Sequence, residues 1–314
     1  MIYIFDITTI DQNIIKLLLK DKTTEKNIIW ASNDYEHLNN FFVFKNQINY
    51  SDLFLKNEVI IQPRIYKLKA IYENRTKIMG EVFTPSWICN KQNNLIDNIW
   101  FGKENIFNFE DNEKWVLNPS KIPFNNLNKK WEDYVEDIRL EITCGEGPYL
   151  VSRYDASSGE NIDLNNRIGI LDRKIRVINE NVTDDVSWFE WVIRAYKSTY
   201  GYEWQGDNLI VARINLILTF IEYYNERFGS DPSYEQLMII ADIIVWNIFQ
   251  MDGIKGVVPN SCISRTIGPN LFGEIEEFEC YGCKTPDINS HNGIYSLIKD
   301  WTKNITVKFV DIIK

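Results

Sequence analysis

The stretch "EITCGEGPYL", residues 141–150, sets a cysteine, two glycines and a proline between apolar residues. It reads as the end of a strand running into a loop of closely spaced glycines. In an α/β sheet, that arrangement brings backbone N–H groups close to a small ligand. Gly145 and Gly147 admit such an approach without a Cβ clash, and Glu141 stands where it could accept hydrogen bonds from a cationic amino group. The loop lacks the Lys-Ser/Thr ending that cradles a nucleotide phosphate. Pro148 occupies the place where a dinucleotide-binding helix would begin. The pattern therefore suits a ligand bearing an ammonium group, with an ordinary turn between strand and loop as the competing reading.

A ribose-holding acid is expected at the end of the next strand. Asp172 in "RIGILDRK" lies 25 residues beyond Gly147, close to conventional spacing, and its segment is strand-like at its start. Glu203 in "TYGYEWQGDNLIVARINLILTF" lies 56 residues beyond, which requires an insertion, but there a short strand, an acid and a long helix follow one another. Both acids remain open on spacing alone.

Outward from this core, "NNFFVF" and "EVIIQP" read as strands, the second stopped by Pro63. Ile65, Leu68, Ile71 and Tyr72 have helical spacing. A helix from Ser86 to Trp100, with Ser86 as its cap, carries Ile88, Leu95, Ile96 and Ile99. Residues 101–130, rich in Asn and Lys, read as a linker or insert. Helices follow over "KKWEDYVEDIRL", "VSWFEWVIRAYKSTY", the long apolar segment closed by Gly229, and "DPSYEQLMIIADIIVWNIF" with Pro232 near its start. "ITVKFVDIIK" alternates as a strand does. The segments divide as residues 1–75, an N-terminal α/β or helical part; 76–258, a cofactor-binding core; and 259–314, a cysteine-containing part.

The formal net charge of −10 disfavours non-specific nucleic-acid coating, which needs many surface Lys and Arg. The opening residues lack a basic leader with a cleavage site, and the apolar runs are too short to span a bilayer. Five cysteines in 314 residues do not suggest a disulfide scaffold. These features lead to the expectation of a soluble cytoplasmic protein with no membrane association.

Taken together, the motifs resemble those of the adenine-N6 DNA methyltransferases, the modification subunits of restriction systems. "EITCGEGPYL" resembles their Asp-Pro-x-Cys-Gly-x-Gly-x-Phe-Leu cofactor motif, and "MGEVFTP" (79–85) resembles their Gly-x-Phe-Phe-Thr-Pro element. "YGYE" with Ala212, Asn215 and Leu216 resembles their second strand and its helix, which shifts the choice of ribose acid to Glu203. The resemblance covers roughly residues 65–258. It implies a Rossmann-like α/β fold binding S-adenosylmethionine. Phe83, Thr84 and Pro85 would cover the cofactor, and Glu141, Cys144, Gly145 and Gly147 would form the main loop. Glu203 would hold the ribose and Asp252, in "VWNIFQMDG", would face the adenine. Double-stranded DNA is the implied partner, with a specificity, nuclease or complementary catalytic subunit beside it. The Asn/Asp-Pro-Pro-Tyr/Phe tetrapeptide that grips a flipped adenine in that family is absent from the sequence. "NPSKIPF" (118–124) has its ingredients in the wrong spacing, and "VKFVDIIK" resembles the strand that usually feeds it. A non-catalytic DNA-binding or assembly component, or a small-molecule methyltransferase, are the alternative readings.

Cys262, Cys280, Cys283 and His291 form "C-x17-CYGC-x7-H", a ligand set suited to a structural Zn²⁺ that staples a loop. Reduced cysteines beside a solvent-facing histidine are the competing reading. Lys129, Lys130, Arg173, Lys174 and Arg176 form short basic groups that read as solvated surface or as phosphate contacts. Trp188 and Trp191 read as helix packing.

Overall fold

The computed structural model describes residues 5–56, 58–67, 76, 81–124, 128–267 and 276–313. In chain order the α-helices longer than four residues among the described residues are α1 (Gln12–Leu18), α2 (Ser86–Phe101), α3 (Trp131–Glu136), α4 (Ile170–Asn181), α5 (Asp185–Lys197), α6 (Gly206–Phe228) and α7 (Tyr234–Asn247). The first strands form two antiparallel pairs, β1 (Phe54–Leu55) with β2 (Glu58–Val59) and β3 (Asn108–Asp111) with β4 (Lys114–Leu117). Next, β5 (Arg139–Glu141), β6 (Thr199–Glu203) and β7 (Ile248–Gln250) make a parallel sheet in that order. Its register sets Leu140 opposite Tyr200 and Tyr202 opposite Phe249. Two further antiparallel pairs follow, β8 (Arg265–Ile267) with β9 (Glu276–Phe278) and β10 (Leu297–Asp300) with β11 (Ile305–Lys308). The architecture is thus mixed α/β.

The sheet crosses over through helices, as parallel strands require. All five residues of β6 are buried. The 23-residue α6 buries apolar residues around most of its circumference, from Leu209 to Phe220, and ends at Gly229 in a left-handed conformation. The helix α7 is capped by Ser233, whose hydroxyl accepts the Gln236 N–H while the Gln236 side chain accepts the Ser233 N–H. Trp188 is fully buried against Phe228 and Tyr224. Ile14, Leu18, Trp30 and Ile48 join the same core as α6 and α7. The Gln250 amide both donates to the Ile29 carbonyl and accepts its N–H, so a side chain performs the pairing a strand would make at that sheet edge.

Several sequence expectations change. "NNFFVF" is a run of turns, and "EVIIQP" holds only the two-residue β2. Ile65 sits in a short 3-10 turn, while Leu68, Ile71 and Tyr72 lie outside the described residues. Residues 101–130 contain the β3–β4 hairpin, anchored by buried Ile106, Phe107 and Ile122. The segment around Asp172 is not a strand: it opens α4, where the Asp172 carboxylate accepts the Gly169 N–H. Of "ITVKFVDIIK" only Ile305–Lys308 form β11, which pairs with β10 rather than entering the parallel sheet, and Phe309–Ile312 turn helical.

The helix α2 departs furthest from its sequence reading. Its cap position is Pro85, and the N–H of Ser86 goes to the Asp155 carboxylate. Leu95, Ile96 and Ile99 face outward, Ile99 being 84% exposed, while Asn90, Asn93, Asn94 and Asp97 point inward. The cause lies on α4. Arg173 is buried, donating to Asp97 at 2.5 Å and to the Asn90 and Asn94 carbonyl oxygens at 2.8 Å, with Phe107 under its guanidinium. A buried cation demands acceptors, and the Asn/Asp face of α2 supplies them. Lys174, also buried, donates to the Asp137 carbonyl and to Ser198, and burial holds its pKa well below the usual lysine range. Arg176 binds Glu180 and the Phe107 and Asn118 carbonyls. These three cations are internal struts, neither solvated surface nor phosphate contacts.

Candidate functional site

Ligands of open parallel sheets bind beyond the carboxyl ends of the strands. There a cleft of about 1070 Å³ opens between the loops that follow β5, β6 and β7. Its lining takes Glu141 to Gly145 from the first loop, Glu203 to Gln205 from the second and Met251 to Lys255 from the third. Residues 81–84 and the flank of α2 close the remaining side.

The first loop turns sharply. Thr143, Gly145 and Gly147 all have positive φ, and the Gly147 N–H closes onto the Cys144 carbonyl at 2.7 Å. The Glu203 carboxylate reaches across to accept the Gly145 N–H at 2.9 Å and the Gln205 N–H at 3.0 Å. Burial pushes this carboxyl up to about 7 against the pull of those two N–H groups. The Phe83 ring packs against the same loop, 3.6 Å from where a Gly145 Cβ would stand, with the Arg64 guanidinium 4.7 Å from its centroid. The elements "VFTP" and "CGEG", some sixty positions apart in sequence, therefore meet face to face; Met79 and Gly80 lie outside the described residues.

Each expected residue has a definite place. Phe83, Thr84, Glu141, Cys144, Gly145, Glu203 and Asp252 all line the cleft. Pro85 does not, because it serves α2, accepting the Ile88 N–H. Gly147 does not either, since its missing Cβ faces Ala212 and Leu216 of α6 at 3.6 and 3.7 Å. With φ +79 at that position, Gly147→Ala is expected to cost about 1–2 kcal/mol, read by denaturant unfolding, while the cleft surface stays intact. Glu141 turns back on its own loop, accepting the Leu150 N–H at 3.1 Å, and burial holds its carboxyl well above the usual range. The Cys144 thiol is pushed well up by burial and by the Glu141 and Glu203 carboxylates, so it acts as packing. Asp252 accepts the Ile254 N–H and faces the Lys255 ammonium at 3.6 Å. Asp172 is remote from the cleft: it takes the Ser152 N–H and the Tyr223 hydroxyl inside the core.

Sequence reading missed Gln205, Asn208 and Lys255. Gln205 is buried against the cleft, and its side-chain oxygen has no hydrogen-bond partner. A buried amide oxygen left unpaired at a cleft wall is poised for a ligand donor. Asn208 receives the buried Lys67 ammonium, which also pairs with Asp207. The signal available in sequence was position: both Gln205 and Asn208 fall at the first turn of the helix that follows Glu203.

A second constellation lies nearby. The ligand atoms of Cys262, Cys280, Cys283 and His291 all lie within 4.8 Å of one another. His291 Nδ1 is 3.6, 3.5 and 3.6 Å from the three sulfurs in that order. A tetrahedral Zn²⁺ with bonds of about 2.3 Å to sulfur and 2.05 Å to nitrogen separates S from N by about 3.5–3.6 Å. This Cys3His cluster can coordinate a metal ion, and the packing of Gly282 against the His291 backbone shapes it. Lys129 is placed over the Trp100 ring, Trp191 packs edge-on against Trp131, and the Asn118 amide holds the Asn105 carbonyl. Among the described residues, no helix is long and apolar enough to cross a membrane. No family model, curated protein or solved structure matches this chain.

Proposed function

We propose that the cleft binds S-adenosylmethionine and that the chain is the cofactor-binding part of a DNA adenine-N6 methyltransferase acting in the cytoplasm. One observation carries the reading: the Gly145 N–H is held by the Glu203 carboxylate while the Phe83 ring packs against the same glycine. That leaves a buried carboxylate at the strand end for a ribose diol, and the unpaired Gln205 oxygen beside it for a further donor. The cleft's charged lining is Glu81, Glu141, Glu203, Asp252 and Lys255, an acidic balance suited to a sulfonium and ammonium rather than to phosphates. When bound, the cofactor supplies an activated methyl group, so the protein's task is chiefly alignment.

In this reading the residues that grip adenine come from another polypeptide segment. Beside the cleft, β5 is an outer strand of the parallel sheet; Leu140 and the flanking Ile138 and Ile142 are exposed, and Leu140 and Ile142 line the cleft with the exposed Ile96 of α2. Parallel sheets are ordinarily covered on both faces, so this apolar rim is where a complementary catalytic segment would pack. The absence of the Pro-Pro tetrapeptide also favours the second reading, a DNA-binding or assembly component that keeps cofactor without catalysis. The Cys3His cluster is assigned to structural Zn²⁺. Calorimetry with S-adenosylmethionine tests the central claim: wild type should bind and a folded Glu203→Ala should bind far more weakly. Failure of the wild type to bind at any concentration tried would sink it. Methyl transfer to duplex DNA, with and without candidate partner subunits, then separates the two readings.

A further inference from the structure

The cysteine–histidine cluster and the cleft share a wall. Val257 is the joint, bridging Asp252 on one side and Tyr295 on the other. Around it, the Val258 N–H donates to the Ile294 carbonyl and the Ser296 N–H to the Gly256 carbonyl. The Asn292 side chain clasps Ile263 through both its N–H and its carbonyl, and the Ser261 hydroxyl accepts the Ile294 N–H. Cys262 and His291 therefore sit on two segments already laid side by side. Cys280 and Cys283 approach from the short helix Tyr281–Lys284, and the Asn292 N–H reaches the Cys280 sulfur at 3.3 Å.

One cation faces both sites. The Lys255 ammonium lies 3.6 Å from Asp252 and within electrostatic reach of Cys262 and Cys283. Three thiolates, a neutral imidazole and a divalent ion carry a net charge of about −1, a load that an adjacent ammonium balances. Groups just outside a metal's ligands orient those ligands and are oriented by them. Without the ion, the segment from Gly256 to Ile263 keeps its hydrogen bonds to residues 292–296 but loses the tie that Cys262 makes through the metal to Cys280, Cys283 and His291.

We propose that Zn²⁺ bound by Cys262, Cys280, Cys283 and His291 fixes the 252–257 turn through Lys255 and the Val257 bridges, so that metal occupancy sets the shape of one wall of the cleft. The ligand-binding arm of its test rests on the cofactor reading above; the exchange arm does not. Metal analysis of the purified chain should find about one zinc per chain, and Co²⁺ substitution should give the visible bands of a tetrahedral thiolate site. Hydrogen exchange across residues 252–258, measured without ligand, should accelerate about tenfold or more on chelation, as a locally opened segment does. Lys255→Met should retain the metal with about tenfold weaker affinity and show faster exchange at 252–256. S-adenosylmethionine affinity should fall in both the chelated protein and Lys255→Met. A chain without stoichiometric metal overturns the proposal, as does unchanged exchange at 252–258 after metal removal from a still-folded protein. If the zinc-loaded wild type binds no S-adenosylmethionine, the cofactor reading fails alone, and the exchange measurement still decides the coupling.

Discussion

Asp97→Ala is expected to cost about 3–5 kcal/mol of folding free energy, the penalty for breaking a buried ion pair by removing one partner. Asp97 and Arg173 are each 2% exposed. One Asp97 oxygen accepts from Arg173, and the other accepts from the Tyr134 hydroxyl at 2.9 Å and from Arg139 at 3.4 Å. Truncation leaves the Arg173 charge without its carboxylate and the Tyr134 hydroxyl without its acceptor. The Asn90 and Asn94 carbonyls still hold Arg173, but they supply dipoles instead of a charge. Asp97→Asn keeps the shape and one acceptor, so it should cost less. A double replacement by apolar residues of matching volume should recover much of the loss, since the burial penalties of both charges vanish together. Urea unfolding of Asp97→Ala, Arg173→Met and the double variant measures the coupling. Additive losses would mean that the pair is not energetically linked.

The second large effect is on binding. Glu203→Ala should reduce S-adenosylmethionine affinity at least about 100-fold, as expected when a buried group that would accept charge-assisted hydrogen bonds is lost. Wild-type binding should also depend on pH. The Glu203 carboxyl sits at about 7 in the free protein because burial disfavours its charge, and only the ionised form is a pure acceptor for a diol. Below that value a proton must leave before the ligand is gripped, so affinity should fall as pH falls. Between pH 8 and pH 6 the expected loss is about tenfold, the ratio of the ionised fractions of one carboxyl that titrates at about 7. Glu203→Gln, which cannot titrate, should bind weakly with a flat profile. A wild-type profile that is flat from pH 6 to 8 would remove Glu203 from the contact. Glu141 is also held well above the usual range, but its carboxylate is turned onto the Tyr149 and Leu150 N–H groups, so Glu141→Gln should affect loop stability more than ligand affinity.

Local pattern was sufficient for some of the molecule. The glycine loop, the long helix ending at Gly229, the Ser233-capped helix and the Cys-x2-Cys knuckle are all short-range statements, written in propensity, capping chemistry and spacing. The sequence also placed Phe83, Gly145, Glu203 and Asp252 as candidates for one site, and all four line the same cleft.

What it could not decide were matters settled by distant partners. Asp172 and Glu203 were both acids at the right kind of place. Only packing shows that the first caps α4 and meets Tyr223 in the core, while the second reaches Gly145. Which face of α2 turns inward was also undecided by sequence: a buried arginine from another helix draws in the Asn/Asp face, because an unpaired internal charge costs more than a few exposed methyl groups. Gly147 looked like a ligand-facing glycine until α6 took up the space beside it. Sequence alone thus nominated candidate residues and marked most of the segments that coil. Tertiary structure decided which side each faces, because the cost of burying a charge or filling a gap depends on neighbours that the chain supplies from far along the sequence, 51 residues away for Asp172 and Tyr223 and 76 for Asp97 and Arg173.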